Sequence, residues 1–364
     1  MSGKSAAPQR SGPREGVRVS KCDVQGYDII GDVHGCASQL EALLDVLGYE
    51  RNGAQGPYLH PDRSAIFVGD LIDRGPEQLR VLQTVKAMVD AGSARMVLGN
   101  HEFNAMAYAT EWPADSGKFL RPHDDPSDPW SASNERQHKA FLEQVVGEDR
   151  ERYLAWFWTL PLWLDLGDLR VVHACWHADS IAVCDRELGG SRFTTPEQLA
   201  RASTDSDPLF TAVETLLKGP DVSLTDYGQD RYFDKDGHPR DRARVRWWHD
   251  GEVTLRGIAE MRAKFTTADG SIYPELPDIA VSVEHHSHVY AEQIPVIYGH
   301  YWRQGPPTHR HDWTDFTACV DFSAVNGGAM TAYRWTGETR IQPGNYVSVG
   351  APLSESTTAT GGIK

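Results

Sequence analysis

Along the first hundred residues, short apolar runs alternate with polar loops and with segments whose apolar positions recur every three or four residues. Tyr27-Asp28-Ile29-Ile30 leads into Gly31-Asp32-Val33-His34-Gly35, then into a helical stretch in which Leu40, Leu43, Leu44 and Leu47 share one face and Ser38 with Glu41 forms a capping box. Ala65-Ile66-Phe67-Val68 leads into Gly69-Asp70-Leu71-Ile72-Asp73-Arg74-Gly75-Pro76. A helix is predicted next, with Pro76 near its first turn, Leu79, Leu82, Val85 and Val89 on one face, and Gly92 as its stop. Arg95-Met96-Val97-Leu98 leads into Gly99-Asn100-His101-Glu102 and a third helical stretch. Strand, loop and helix in repeated succession predict an α/β fold. In such sheets the loops at the carboxyl ends of the strands gather in one place.

The remainder is less regular. Residues 110–150 read as an insertion that opens Pro/Asp-rich and continues through a polar helix around 136–147. Residues 163–176 read as a hairpin turning at Gly167-Asp168. Residues 185–280 are mixed and polar, a second insertion or cap, before apolar runs resume near 295–300, 317–322 and 329–335. The main domain is expected over 22–350, with flexible tails at 1–21 and 351–364.

Composition narrows the classes. The chain has 364 residues, with 51 Asp+Glu against 36 Lys+Arg and a formal charge of -15, which argues against nucleic acid or an anionic membrane as a partner. A phosphate substrate would need a local positive site. Five cysteines, an odd number with no C-x-x-C pair, argue against a disulfide scaffold or a zinc ribbon and for a reducing compartment. No apolar run approaches the length of a spanning helix and no secretory signal is visible at the N-terminus, so the expected location is the cytoplasm.

The loops carry the chemistry. Asp32 and His34, Asp70, Asn100 and His101, His173 and His300 each come at the end of an apolar run. Mixed carboxylate, imidazole and amide oxygen suits first-row divalent metals better than calcium or a thiolate-bound structural zinc, and two ions are the natural count. These successive motifs, with Val171-Val172-His173-Ala174-Cys175-Trp176 and Tyr298-Gly299-His300, resemble those of the calcineurin-like metallophosphoesterases. Within that superfamily the nearer resemblance is to the branch of phosphoprotein phosphatases and symmetrical dinucleoside-tetraphosphate hydrolases.

The resemblance implies two central β-sheets flanked by helices in four layers. It implies one metal on Asp32, His34 and Asp70, and a second on Asp70, Asn100, His173 and His300, with Asp70 bridging. Manganese is the first choice, and iron, zinc, cobalt and nickel are compatible. Asp73 would pair with His101 and keep it protonated as the general acid, Arg74 would hold phosphoryl oxygens, and Asn100 would also face substrate. The expected reaction is in-line attack on phosphorus by a metal-bridging hydroxide, on a phosphomonoester of phosphopeptide, nucleotide or small-molecule type. The alternatives are a symmetrical dinucleoside polyphosphate hydrolase, a nucleic-acid-end phosphatase, and a catalytically silent binding relative. Nothing in the sequence sets the oligomeric state.

Several features stand apart from the motifs. Trp302 occupies the position at which diesterase branches place a second histidine after Gly-His, which favours the phosphatase branch. Arg242, Arg244 and Arg246 with Trp247 and Trp248 read as a solvated basic edge, with a nucleotide-stacking surface as the alternative. Trp156, Phe157, Trp158 and Trp163 read as core, and Cys36 and Cys175 as small fillers beside the site. His285, His286, His288, His309 and His311 read as loop residues.

Overall fold

The computed structural model describes residues 24–350 apart from 55, 235–236 and 262–264, so both expected tails lie outside the described residues. Strands β1 (Gly26–Ile30), β2 (Arg63–Phe67) and β3 (Ala94–Met96) are parallel neighbours, separated along the chain by helices α1 (Ala37–Leu47) and α2 (Gln78–Asp90). Helix α3 (Asn100–Ala109) follows β3. The segment 110–150 contributes α4 (Ser131–Gln144), after which come α5 (Glu148–Phe157) and the antiparallel pair β4 (Trp163–Asp165) and β5 (Arg170–Val172). Helices α6 (Ala178–Leu188), α7 (Pro196–Ala202) and α8 (Pro208–Lys218) precede a polar region. The chain then supplies β6 (Val296–Tyr298), β7 (Thr317–Cys319), β8 (Asp321–Phe322), β9 (Ala329–Trp335) and β10 (Tyr346–Gly350).

These strands make two sheets. The first runs β8-β9-β1-β2-β3, with β10 also paired to β9, and the second runs β7-β6-β5-β4. Ile29, Ile66, Val68, Val97, Val171 and Ile297 fill the space between them as one apolar cluster. Helices α1 and α2 pack on the first sheet. A larger cluster joins Leu40, Leu44, Leu82, Val85 and the α8 residues Leu209, Val213 and Leu216 to Tyr298 and Cys319 of the second sheet. Strands read as continuous apolar runs are those buried on both faces, as β1 and β2 are here. The result is the expected calcineurin-like arrangement of central sheets between helices.

Local expectations fared unevenly. Ser38 and Glu41 form no capping box: helix α1 begins at Ala37, and Ser38 gives its N–H and its hydroxyl to Glu77 instead, each at 2.9 Å. In α2 the buried stripe is Val81, Leu82, Val85 and Met88, with Leu79 and Val89 only packed at its edge. Helix α4 starts several residues earlier than its polar periodicity suggested. The Gly167-Asp168 turn is present, with Gly167 at φ 89°.

Residues between α8 and β6 bury a small apolar cluster of their own, including Val222, Leu224, Val245, Leu255 and Ile258. The basic stretch leads into it. Arg242–Arg244 is a strand paired with Asp221–Ser223, Arg244 meets Asp221 at 3.1 Å, and Arg246 donates to the Gly257 carbonyl. Trp247 and Trp248 are fully buried against Tyr298 and Tyr301, so they cannot stack an incoming base. The nucleotide-stacking alternative is therefore withdrawn.

Candidate metal centre and its surroundings

The loops after β1, β2 and β3 are laced together by backbone. His34 donates its N–H to the Asp70 carbonyl at 2.9 Å, and Gly75 returns an N–H to the His34 carbonyl at 3.0 Å. Such close approach needs glycine: a Cβ at Gly99 would lie 2.3 Å from Asp70 Oδ1, and one at Gly299 would lie 2.1 Å from Asp32 Oδ1. Ten non-glycine residues among those described have positive φ, and six of them are His34, Asp70, Asp73, Arg74, His300 and Trp302. Backbone strain is thus concentrated at this one place, as it is where a fold over-determines a working geometry.

Asp70 sits at the centre, with one oxygen near His173 and the other near His34. Oδ1 accepts the His101 N–H at 2.9 Å and lies 3.5 Å from His173 Nε2, while Oδ2 lies 3.6 Å from His34 Nε2. Glu102 holds this carboxylate's backbone in place, accepting N–H groups from Asp70 (2.8 Å), Leu71 (2.7 Å) and Gly99 (3.1 Å). Burial, and then the Asp70 charge, push Glu102 up to about 7. Burial acts to raise Asp70 as well, but the facing His173, His101 and His34 hold it below its ordinary value.

The imidazoles are oriented by carbonyls. His34 Nδ1 is 2.8 Å from the Ile72 carbonyl and His173 Nδ1 is 2.8 Å from that of Val68. A carbonyl only accepts, so both Nδ1 atoms carry hydrogen and each ring turns its Nε2 inward. His34 Nε2 is buried without a hydrogen-bond partner, and burial followed by the neighbouring His101 lowers this residue to about 3. Asn100 Oδ1 lies 3.0 Å from His173 Nε2 and 2.9 Å from His300 Nδ1, so donors from three elements aim at one point. Burial, and then Asp321 and Asp70, push Asp32 well above the usual carboxylate range, a strain that a cation relieves. The donor set thus fits two divalent ions.

Two groups of donors lie close enough to share an ion: His34, Asp70 and His101, and Asp70, His173 and His300. Among the described residues, His285, His286, His288, His309 and His311 join no such group. Asp32 is buried beside both groups, accepting the His300 N–H at 3.2 Å through each oxygen, but it is not part of the first. His101 is committed elsewhere, with Nδ1 2.6 Å from Asp73 Oδ2 and Nε2 3.3 Å from Arg74 Nη2. Burial lowers the His101 pKa, yet Asp70 and Asp73 more than offset it and the net shift is upward. The Arg74 guanidinium lies 3.8 Å from the centre of the Trp302 ring.

Other parts were not foreseen. His138, on α4 and fully buried, places Nδ1 3.0 Å from Asp73 Oδ2, so two imidazoles converge on one carboxylate. Burial raises Asp73, but those two hydrogen bonds bring it down to about 2. Gln144, one end of the same helix, accepts the Gln78 N–H at 3.0 Å, and Gln78 in turn accepts the Asp73 N–H at 2.8 Å. Asp321, also buried, takes the Trp302 N–H at 2.8 Å and fixes the turn beyond His300.

A family profile, calcineurin-like phosphoesterase, matches residues 27–202, and that segment contains all the foreseen site residues except His300. Residues 27–202 are thus a calcineurin-like phosphoesterase domain. Members use a dinuclear metal centre, in accord with the paired donor groups on either side of Asp70. Relatives named bis(5'-nucleosyl)-tetraphosphatase PrpE [asymmetrical] include one from Halalkalibacterium halodurans, 54% identical over 21% of this chain and 30% of its own length. Another, from Bacillus subtilis, is 32% identical over 44% of this chain and 62% of its own. The chain therefore spans less than two thirds of these relatives' length. A protein serine/threonine phosphatase from Saccharomyces cerevisiae shares 14% identity, covering 93% of this chain and 82% of its own, at a TM-score of 0.44. Among the described residues, no helix is long and apolar enough to cross a membrane.

Proposed function

We propose that this calcineurin-like phosphoesterase hydrolyses phosphoric esters and anhydrides at a paired divalent-metal centre, and that its substrate is a dinucleoside polyphosphate. The observation that carries the reaction class is Asp70, which offers Oδ1 toward His173 and Oδ2 toward His34, whose Nε2 is buried and unpartnered. Asp32, His34 and Asp70 would hold one ion, and Asp70, Asn100, His173 and His300 the other. Bound there, the ions would polarise phosphoryl oxygens and acidify water. Manganese is our assignment, and iron, zinc, cobalt and nickel suit the same donors.

The chain's own groups do the rest. Arg74, steadied by the Trp302 ring, presents two parallel N–H donors to the equatorial phosphoryl oxygens. Once Arg74 has turned from His101 Nε2 to phosphate, that nitrogen carries the proton for the departing oxygen, and Asp73 keeps the ring charged and aimed. One P–O bond forms from water and one breaks. The leaving oxygen takes the His101 proton, and water's proton goes to solvent.

Dinucleoside polyphosphate displaces the phosphomonoester expected from the sequence because the relatives carry tetraphosphatase names. Those names specify the asymmetrical kind, whereas the sequence motifs suggested the symmetrical one. The phosphomonoester reading keeps one observation, Trp302 at the site mouth in place of a second histidine. Four buried, unpaired thiols among the described residues favour a reducing, cytoplasmic setting.

A panel of diadenosine tetraphosphate, p-nitrophenyl phosphate, phosphopeptide and bis-p-nitrophenyl phosphate decides between these readings. Highest kcat/KM on the tetraphosphate is expected, with AMP plus ATP marking asymmetric and two ADP marking symmetric cleavage. Preference for the diester would overturn the reading of Trp302.

A further inference from the structure

The cleft that opens from Arg74, Asn100 and His101 has a volume of about 900 Å³, and its far wall comes from α4, the segment before it and the end of α8. Five cations line it, Arg74, Arg121, Arg136, Lys139 and Lys218, against one lining carboxylate, Glu143, in a chain whose formal charge is -15. Local reversal of sign on so acidic a protein marks a place where negative charge is received. Neighbours neutralise it only in part. Lys139 lies 3.8 Å from Glu143 with both side chains exposed, and Lys218 meets Glu214 at 2.6 Å. Arg74 and Arg136 have no carboxylate at ion-pair distance among the described residues. Arg121 donates to Gln137 Oε1 at 2.5 Å, while its Nε is buried without a partner.

We propose that Arg121, Arg136, Lys139 and Lys218 form a subsite for a polyphosphate chain, gripping the phosphates beyond the one attacked beside Asp70 and His101. The proposal deepens the phosphoryl-hydrolase reading and rests on it for the position of the attacked phosphorus. A monoester dianion is already matched by Arg74 and the ligand cluster. Four more cations along one cleft suit additional phosphates spaced along a chain, each able to accept from a guanidinium or an ammonium. The insertion would thereby set substrate class, by rewarding length of the phosphate chain.

The test uses the metal-loaded full chain and the double variant Arg136→Ala/Lys139→Ala, both exposed positions. With free metal ion held constant, the ratio of kcat/KM for diadenosine tetraphosphate to that for p-nitrophenyl phosphate should fall about tenfold, and further in Arg136→Glu. Calorimetric titration with magnesium tripolyphosphate should show Kd rising about tenfold in the double variant, with orthophosphate moving far less. A ratio within about twofold of wild type, or equal shifts for both anions, overturns the subsite. A wild-type chain that cleaves p-nitrophenyl phosphate but not the tetraphosphate would sink the substrate reading alone, and the tripolyphosphate titration would still decide the subsite.

Discussion

His138 is a buried imidazole whose removal separates its influence on catalysis from a role in stability alone. It lies on α4, is fully buried, packs edge-on to Tyr108 at 5.2 Å between ring centres, and gives Nδ1–H to Asp73 at 3.0 Å. The Asp73 carboxylate then holds His101 at 2.6 Å. In His138→Leu the buried carboxylate keeps one of its two imidazole donors, and a hydrogen bond to a charged group contributes about 2 kcal/mol. Were all of that expressed in the transition state, kcat would fall about thirtyfold; partial expression gives a loss nearer fivefold.

The expected pattern is a drop in kcat with KM and metal content steady. The drop should be steeper for an alkyl phosphate than for p-nitrophenyl phosphate, because the poorer leaving group needs the His101 proton more. His138→Asn, whose amide nitrogen mimics Nδ1, should recover most of the rate. A variant that loses thermal stability but turns over both substrates at wild-type kcat would show that His138 only packs α4, and the reasoning would fail.

Two further outcomes follow from the same geometry. Asp73, held down to about 2 against an ordinary 3.8, stabilises the metal-free fold by about 2 kcal/mol above the unfolded carboxyl's pKa, and that contribution is lost as pH falls toward about 2. Urea unfolding of chelated protein between pH 5 and 3 should therefore show a decline that Asp73→Asn flattens, and an unchanged slope would refute it. Trp302→Ala removes the ring under the Arg74 guanidinium, worth about 0.5–1 kcal/mol, so KM should rise about two- to fivefold with kcat nearly unchanged; an unaltered KM would contradict the stacking role.

What the sequence made legible, and what it hid, follows from topology. Asp32, Asp70 and Asn100 each stand just beyond an apolar strand and a glycine, so parallel pairing of β1, β2 and β3 brings them together without further information. His173 and His300 are gathered by the same logic from the second sheet, through the parallel pairing of β5 and β6. His138 offered no such signal. It lies on a polar helix 65 residues from its partner, and only the docking of α4 over the turn at 73–78 creates the contact. Glu102 lay within a motif already noticed, but an acid in the first turn of a helix has an ordinary explanation in the helix dipole, which hid its three backbone bonds. Trp247 and Trp248 looked accessible because strand alternation speaks only of one strand's two faces; Tyr298 and Tyr301 arrive from far along the chain to bury them.

The central claim is that Asp70 joins two cations in one centre. Elemental analysis of manganese-reconstituted protein after desalting, run beside turnover, tests it most directly. Two ions per chain are expected for wild type, with Asp70→Ala losing metal and phosphohydrolase activity together. Full activity in a chelated sample, or an Asp70→Ala protein that keeps two ions and its rate, would contradict it.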